Sequence, residues 1–415
     1  MDYQRIVKGI LDIGEAMLQS GAENFRLEDS IYRMCKAYGF RQYDVFAIPS
    51  NIQITVETRD GEFITQIRHI ETMDTNYDRL DYLNDLSRRV CSETPDADKL
   101  QELFTEVMNR KAQHPAVKYL AHIVSGASFA IFFGCGITDA AVAALISLIL
   151  VMAGNALSKR ENNLLIYNTI LAFLAEFIIL IGLKTGLVIH PECIMIGIVM
   201  LLISALATTN GIRELLQRDY ISGAINIMNS ILGASGIAIG IALAMLLMYN
   251  IRLTDGAPAA NSQIVRLVSC TVGCIGFALL FKVKGRQVIY SGIGAFFTYT
   301  IYLLVYSMKP SNFFATLMGS IFVAFYAFIM SRINKAPSTI FLTASVFPLV
   351  PGAALYYTMY GFVSLNYGLA REQLFVLLTT CFGIAFGFLI VDVITRSVMA
   401  ALKRDYHIGK HTILH

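Results

Sequence analysis

The sequence has no tryptophan, nine prolines and only 15% charged residues in 415 positions, while 55% of it is hydrophobic. So little charge, with a mean hydropathy of +0.58, excludes an ordinary water-soluble globule and points to a chain solvated largely by lipid. Without tryptophan, an interfacial aromatic belt has to come from tyrosine, and Tyr119, Tyr249, Tyr290, Tyr306 and Tyr360 fall near the ends of predicted spans. The seven cysteines are odd in number and scattered, and the closest pair, Cys270 and Cys274, sits inside an apolar run. They read as small core residues and not as a disulfide framework or metal site. No Walker phosphate loop, nucleophile elbow or His-Glu-x-x-His motif occurs, so no ATPase engine, cofactor or metal is expected.

Charge is unevenly distributed. Residues 1–118 carry 15 basic and 20 acidic side chains, whereas the remainder carries 18 and 10. That balance is no nucleic-acid signature; in a membrane region it reports orientation. The first 25 residues interleave acids with apolar residues at helical spacing and read as a helix, not as a signal peptide. Ile6, Ile10, Ile13 and Met17 share one helical face, and Leu27, Ile31 and Met34 another. The stretch 44–70 alternates polar and apolar and contains Asp60-Gly61, a strong hairpin signal. Two further helices are predicted at about 77–91 and, with Thr94 as N-cap and Pro95 as first helical residue, at 96–111. Together these predict a soluble α+β domain over 1–114. Asp74, Asp78, Asp81 and Asp85 are read as a solvated stripe ahead of a metal site. His69 and Cys35 are the only residues that suggest a hydrolytic pair.

Ten spans are predicted: 117–135, 138–157, 163–183, 189–208 and 221–249 form one module (115–250), and 263–282, 287–306, 311–331, 338–360 and 373–394 a second (262–396), before a tail at 397–415. The short loops holding Lys159, Arg160, Arg213, Arg218, Lys282, Lys284, Arg286, Arg332 and Lys335 lie on one side; Lys184, Arg252, Arg266, Lys309 and Arg371 lie on the other. The positive-inside rule therefore places both termini and the 1–114 domain in the cytoplasm.

Five spans plus five invite a search for a repeat, and a faint one occurs at an offset of about 148 residues: SFAIFFG from Ser128 against GFALLFK from Gly276, and LISALATT from Leu202 against LVPGAALY from Leu349. An odd number of spans per unit would invert the second copy, an arrangement found in transporters that hold substrate between the halves. In the second half Pro348, Pro351 and Gly352 interrupt a span; the unpaired backbone of a broken helix is tolerated only in protein or beside a wet cavity, where it can bind ions. The first half offers Ser204, Thr208, Thr209 and Asn210. These residues, Pro351, Gly352 and Asn226 are the substrate-site candidates. Glu176 lies in mid-span, where a carboxylate must be paired or protonated, and is the proton-coupling candidate. Asn155, Asn168 and Asn229 are read as interhelical glue, and Gly236/Gly240 and Gly383/Gly387 as close helix contacts.

The segments GAENFRLEDSIYRMCKAYGF, DVFAIPSNIQITV, TQIRHI with NYDRLDYLNDLSRRV, LATTNGIRELLQRDYISGAI and VPGAAL resemble the bacterial threonine/serine exporter family over nearly the whole chain. The resemblance implies a ten-span secondary exporter of small amino acids in the bacterial inner membrane, driven by the proton gradient. Related two-chain systems imply a dicarboxylate such as succinate as the alternative cargo. Ser204-Ala205 stands where relatives show Pro-Gly, and Glu214 where they show Asp, so the fourth span is expected to be less broken than the ninth. The expected partners are a small amino acid, protons and the bilayer; homo-oligomerisation is left open. A membrane-anchored hydrolase and an assembly protein are the rival classes.

Overall fold

The computed structural model describes residues 2–70, 74–161, 163–202, 205–248 and 261–412; Ser204, Tyr249 and Arg252 lie outside them. Helix α1 (Tyr3–Gln19) starts at an Asp2 cap that accepts from Arg5 N, and buries Ile6, Ile10, Ile13 and Met17 at the predicted spacing. Each such fully buried side chain contributes roughly 1.5–3 kcal/mol. Helix α2 (Asn24–Tyr38) stops at Gly39, whose φ of 75° is the left-handed conformation that closes helices. Strands β1 (Gln42–Ile48), β2 (Asn51–Glu57) and β3 (Phe63–His69) form an antiparallel meander in which Val45 faces Ile54 and Ile54 faces Gln66. Ile52, Ile54 and Val56 point inward, as period-2 alternation requires. The predicted hairpin is present, closed by Thr58 N to Glu62 O with Gly61 at φ 83°.

Helices α3 (Tyr77–Glu93) and α4 (Ala97–Met108) follow. Their junction differs from the reading of Thr94 as an N-cap. Thr94 is the left-handed C-cap of α3, and Asp96 caps α4 by accepting from Lys99 N. A carboxylate at this position satisfies a free amide and favours the positive helix end, which explains why Asp96 prevails. The aspartate stripe is also not solvated throughout. Asp74 pairs with Lys282, Asp78 with Lys284, and Asp81 accepts from Gln287 at 3.0 Å, so three of its members dock α3 onto a distant loop and helix start. Among the described residues no group of His, Cys, Asp and Glu has the arrangement of a metal site.

The remaining helices are α5 (Pro115–Phe132), α6 (Ile137–Leu157), α7 (Leu164–Lys184), α8 (Pro191–Leu202), α9 (Ala205–Leu216) and α10 (Tyr220–Leu247). After the undescribed stretch 249–260 come α11 (Gln263–Leu280), α12 (Arg286–Met308), α13 (Asn312–Asn334), α14 (Ser338–Val346), a 3-10 turn Phe347–Leu349, α15 (Gly352–Val363) and α16 (Tyr367–Thr412). Among the described residues, eight helices are long and apolar enough to span a membrane, or up to ten spans if each of two bent pairs is counted as one. The chain is a polytopic helical membrane protein.

The bent pairs are the fourth and ninth predicted spans, and each bends by 54°. The fourth is thus no less bent than the ninth, despite lacking the Pro-Gly pair. Tertiary contacts explain this: α8 packs on α5, α6, α7 and α15, whereas α9 packs on α10 and α16, so the two pieces answer to different neighbours. Helices α7 and α10 touch through Gly236 and Gly240, where an added Cβ would stand 2.4 Å from Leu165 O and Thr169 O respectively. Helices α13 and α16 meet likewise at Gly383 and Gly387. Asn168 donates to Gly233 O at 3.1 Å across the first contact, and Ser320 to Gly383 O at 3.1 Å across the second.

Residues 1–114 do not stand apart from the bundle. Their core, centred on Ile6, Leu11, Ile31 and Leu83, continues into Ala278, Val283, Ala327, Ile340 and Phe341. Tyr77 bridges the two parts, its N–H donating to Phe281 O at 3.0 Å and its hydroxyl meeting Thr343 Oγ1 at 2.8 Å.

Candidate functional site

A cavity of about 570 Å³ lies where the N-terminal elements meet the bent helices. Its wall includes Glu23 from the turn before α2, Asn210, Arg213 and Glu214 from α9, Asn226 from α10, and Thr343 from α14. Helix α9 presents these residues because Ala207, Asn210 and Glu214 recur at spacings of three and four along one face. Arg213 is only 4% exposed. It reaches Glu23 Oε1 at 3.3 Å, lies over the Phe388 ring at 5.9 Å, and keeps a buried Nε–H without a hydrogen-bond partner. Glu23 also accepts from Arg26 Nε at 3.1 Å and from Thr339 Oγ1 at 3.3 Å. Burial alone would raise the Glu23 carboxyl, but the facing Arg213 and Arg26 charges outweigh it and hold the group at about 2. Asn226 Nδ2 donates to Glu214 Oε2 at 2.7 Å. Arg213, Lys118 and Lys282 therefore share a wall with Glu23, Glu214 and Asp74 and with the amides of Asn210 and Asn226, around a space large enough for a small solute.

The predicted site residues divide. Asn210 and Asn226 line the cavity. Thr209 is fully buried and turns towards Cys381 on α16, and Thr208 is half-buried outside the cavity wall. Pro351 caps α15 and Gly352 packs on Met200, where a Cβ would stand 2.2 Å from the sulfur. That contact brings the ninth span's break against the end of α8, within an apolar cluster of Phe129, Met200, Phe277, Phe347 and Val350. Ser204 lies outside the described residues.

Glu176 is elsewhere. It is 2% exposed, sits about 18 Å along α7 at 1.5 Å per residue, and its Oε2 has no hydrogen-bond partner. Tyr356 and Glu192 are its electrostatic neighbours. Close by in the chain, Tyr357 donates to Glu192 Oε2 at 3.1 Å, and His190 Nδ1 meets Asp139 Oδ2 at 2.9 Å. Glu176 is therefore not part of the cavity wall.

Sequence reasoning missed Arg213, Glu23 and Glu192 as functional candidates. Arg213-Glu214, a charged pair closing the polar stretch that starts at Thr208, was the available signal; Glu23 offered none, because its partner lies 190 residues away. Cys35 is fully buried, and burial pushes its thiol up to about 12, which suits a core residue and not a nucleophile.

Two family descriptions match the chain: "Putative threonine/serine exporter" over residues 8–248 and "Threonine/Serine exporter, ThrE" over residues 266–394. The chain belongs to the threonine/serine exporter family. It is 22% identical over 405 residues to the threonine/serine exporter of Corynebacterium glutamicum, covering 92% of this chain and 81% of that one. It is 21% identical over 377 residues to the "Probable threonine/serine exporter" of Mycobacterium tuberculosis, covering 86% and 70%. No solved structure gives a significant match. The family is one of transporters, not enzymes.

Proposed function

We propose that this family member is a proton-coupled secondary exporter of threonine, serine or a close relative, working by alternating access. The observation that carries the reading is the cavity in which Arg213 faces Glu23 while Glu214 and two asparagines stand beside it. A zwitterionic amino acid needs an anion receptor, a cation receptor and, for threonine or serine, a partner for its hydroxyl. The free Nε–H of Arg213 is a buried donor awaiting an acceptor, and leaving such a donor unpaired costs about 1–3 kcal/mol. A substrate carboxylate removes that cost; Glu214 takes the ammonium, and Asn210 and Asn226 take the hydroxyl.

In this reading residues 1–114 form a cytoplasmic domain that walls the loading chamber, and both termini are cytoplasmic. The apolar cluster around Met200 acts as the closed gate between the chamber and Glu176, and Pro351-Gly352 and the bend of the α8–α9 pair are the hinges on which access alternates. The modules 115–250 and 262–396 are the two inverted five-helix repeats. Support comes from elements that recur in the same order, from equal 54° bends, and from Gly383 and Gly387 standing 147 residues after Gly236 and Gly240. Glu176 carries the proton: buried without a partner, it must be neutral or wetted at some point in the cycle. A counterflow assay in proteoliposomes with labelled threonine, serine and succinate tests the assignment. Uptake of threonine or serine against their unlabelled forms supports it, and uptake of succinate alone overturns it.

A further inference from the structure

A second and larger cavity, of about 810 Å³, lies between α2, α3 and the ends of α13 and α16. Six arginines contribute to its wall: Arg26, Arg33, Arg88, Arg213, Arg332 and Arg396. Only two carboxylates line it, and both are engaged, Asp29 with Arg33 at 2.7 Å and Asp392 with Gln217 at 3.0 Å. Among the described residues Arg332 and Arg396 have no ion pair; they lie over the rings of Phe328 at 5.2 Å and Phe25 at 5.1 Å. A buried donor of the same wall, Asn84 Nδ2, also has no hydrogen-bond partner among the described residues. Two guanidinium charges without a carboxylate partner at a half-enclosed space, together with that unsatisfied donor in its wall, favour an anion there.

We propose that this cavity binds a phosphate-bearing ligand and thereby clamps the N-terminal elements to the membrane helices. Guanidinium forks grip phosphate oxygens two at a time, and a phosphate has oxygens enough to meet several forks at once. The volume exceeds what one amino acid fills, and the rings of Phe25 and Phe388 add an apolar side for a base or an acyl chain. A free nucleotide and an anionic lipid headgroup share this chemistry. Arg26, Arg33 and Arg88 hold the ligand from the N-terminal side, and Arg332 and Arg396 from the bundle. Arg213 lines this cavity and the substrate chamber alike, so occupancy of one bears on the other. That regulatory consequence rests on the transport reading; the binding site does not.

Thermal unfolding of the purified full chain in neutral detergent, with pyrophosphate, ADP or short-chain phosphatidylglycerol, tests the site without measuring transport. Short-chain phosphatidylcholine serves as the zwitterionic control. At least one phosphate probe is expected to raise Tm, with the concentration needed increasing roughly tenfold or more in Arg332→Gln/Arg396→Gln. A response to pyrophosphate or ADP identifies a free ligand, and a response to phosphatidylglycerol alone identifies a headgroup. If the double variant fails to fold, Arg88→Gln, which is exposed on α3, replaces it. No shift with any phosphate probe, or equal shifts in wild type and variant, overturns the proposal.

Discussion

Replacing Glu23 by alanine removes the one carboxylate within ion-pair distance of Arg213 among the described residues and leaves a buried guanidinium with only the more distant charges of Asp392 and Glu214. The size of the effect follows from the carboxyl itself, which is held at about 2 against an ordinary 4.5. A difference of that size corresponds to roughly 3 kcal/mol at about 1.4 kcal/mol per unit. Breaking one side of a buried pair independently costs about 3–5 kcal/mol. Because the carboxyl is depressed, its contribution is complete above about pH 4.5 and is lost only as pH falls through about 2. Glu23→Ala should therefore lose roughly 3 kcal/mol across the neutral range, measured by denaturant unfolding of the full chain in detergent. Adding Arg213→Met should restore part of the loss, since the stranded charge is gone. A loss under about 0.5 kcal/mol between pH 5 and 8, or additive effects in the double variant, would refute this reasoning.

Glu176→Gln should abolish export driven by a pH gradient in proteoliposomes while leaving unfolding unchanged; undiminished export would remove its coupling role. Gly240→Leu places a Cβ 2.4 Å from the Thr169 carbonyl and should destabilise the α7–α10 contact by about 1–3 kcal/mol or more, read as lost yield of folded protein. Gly61→Ala meets no atom within 4 Å but keeps a φ of +83°, so it should cost only about 1 kcal/mol. Burial, outweighing the Gln287 hydrogen bond, raises Asp81 to about 6, so its ionised form opposes folding as pH rises from about 4 through 6. Asp81→Asn should accordingly stabilise the protein above pH 6, by about 1 kcal/mol after solvent screening, and have no such effect below pH 4.

Much of this architecture is legible because it is local. The helical period of Ile6 to Met17, the Asp60-Gly61 turn and the small-residue pairs on α10 and α16 each carry their structure within a few turns. The Thr94 junction was misread because two capping side chains compete two residues apart, and the winner depends on which amide each one reaches. Asp74, Asp78 and Asp81 read as a solvated stripe because Lys282, Lys284 and Gln287 are more than 200 residues away. The bend of the fourth span is likewise not written in its own residues, since the packing of α8 and α9 on different partners supports it. Of the cavity wall, Asn210 stands out in the sequence as polar between apolar runs and Asn226 as polar within a predicted span. Arg213 and Glu23 gain meaning only when α9 and the turn before α2 meet.

Threonine protection of a cavity thiol tests the loading chamber most directly. Ala207→Cys, which lines the cavity without an assigned contact to the substrate, in a Cys91→Ser background leaves the other native cysteines buried, so labelling by a membrane-impermeant maleimide reports the chamber alone. Labelling from the cytoplasmic face that threonine slows and succinate does not is the predicted result. Labelling from the opposite face only, or at a rate indifferent to threonine, would contradict it.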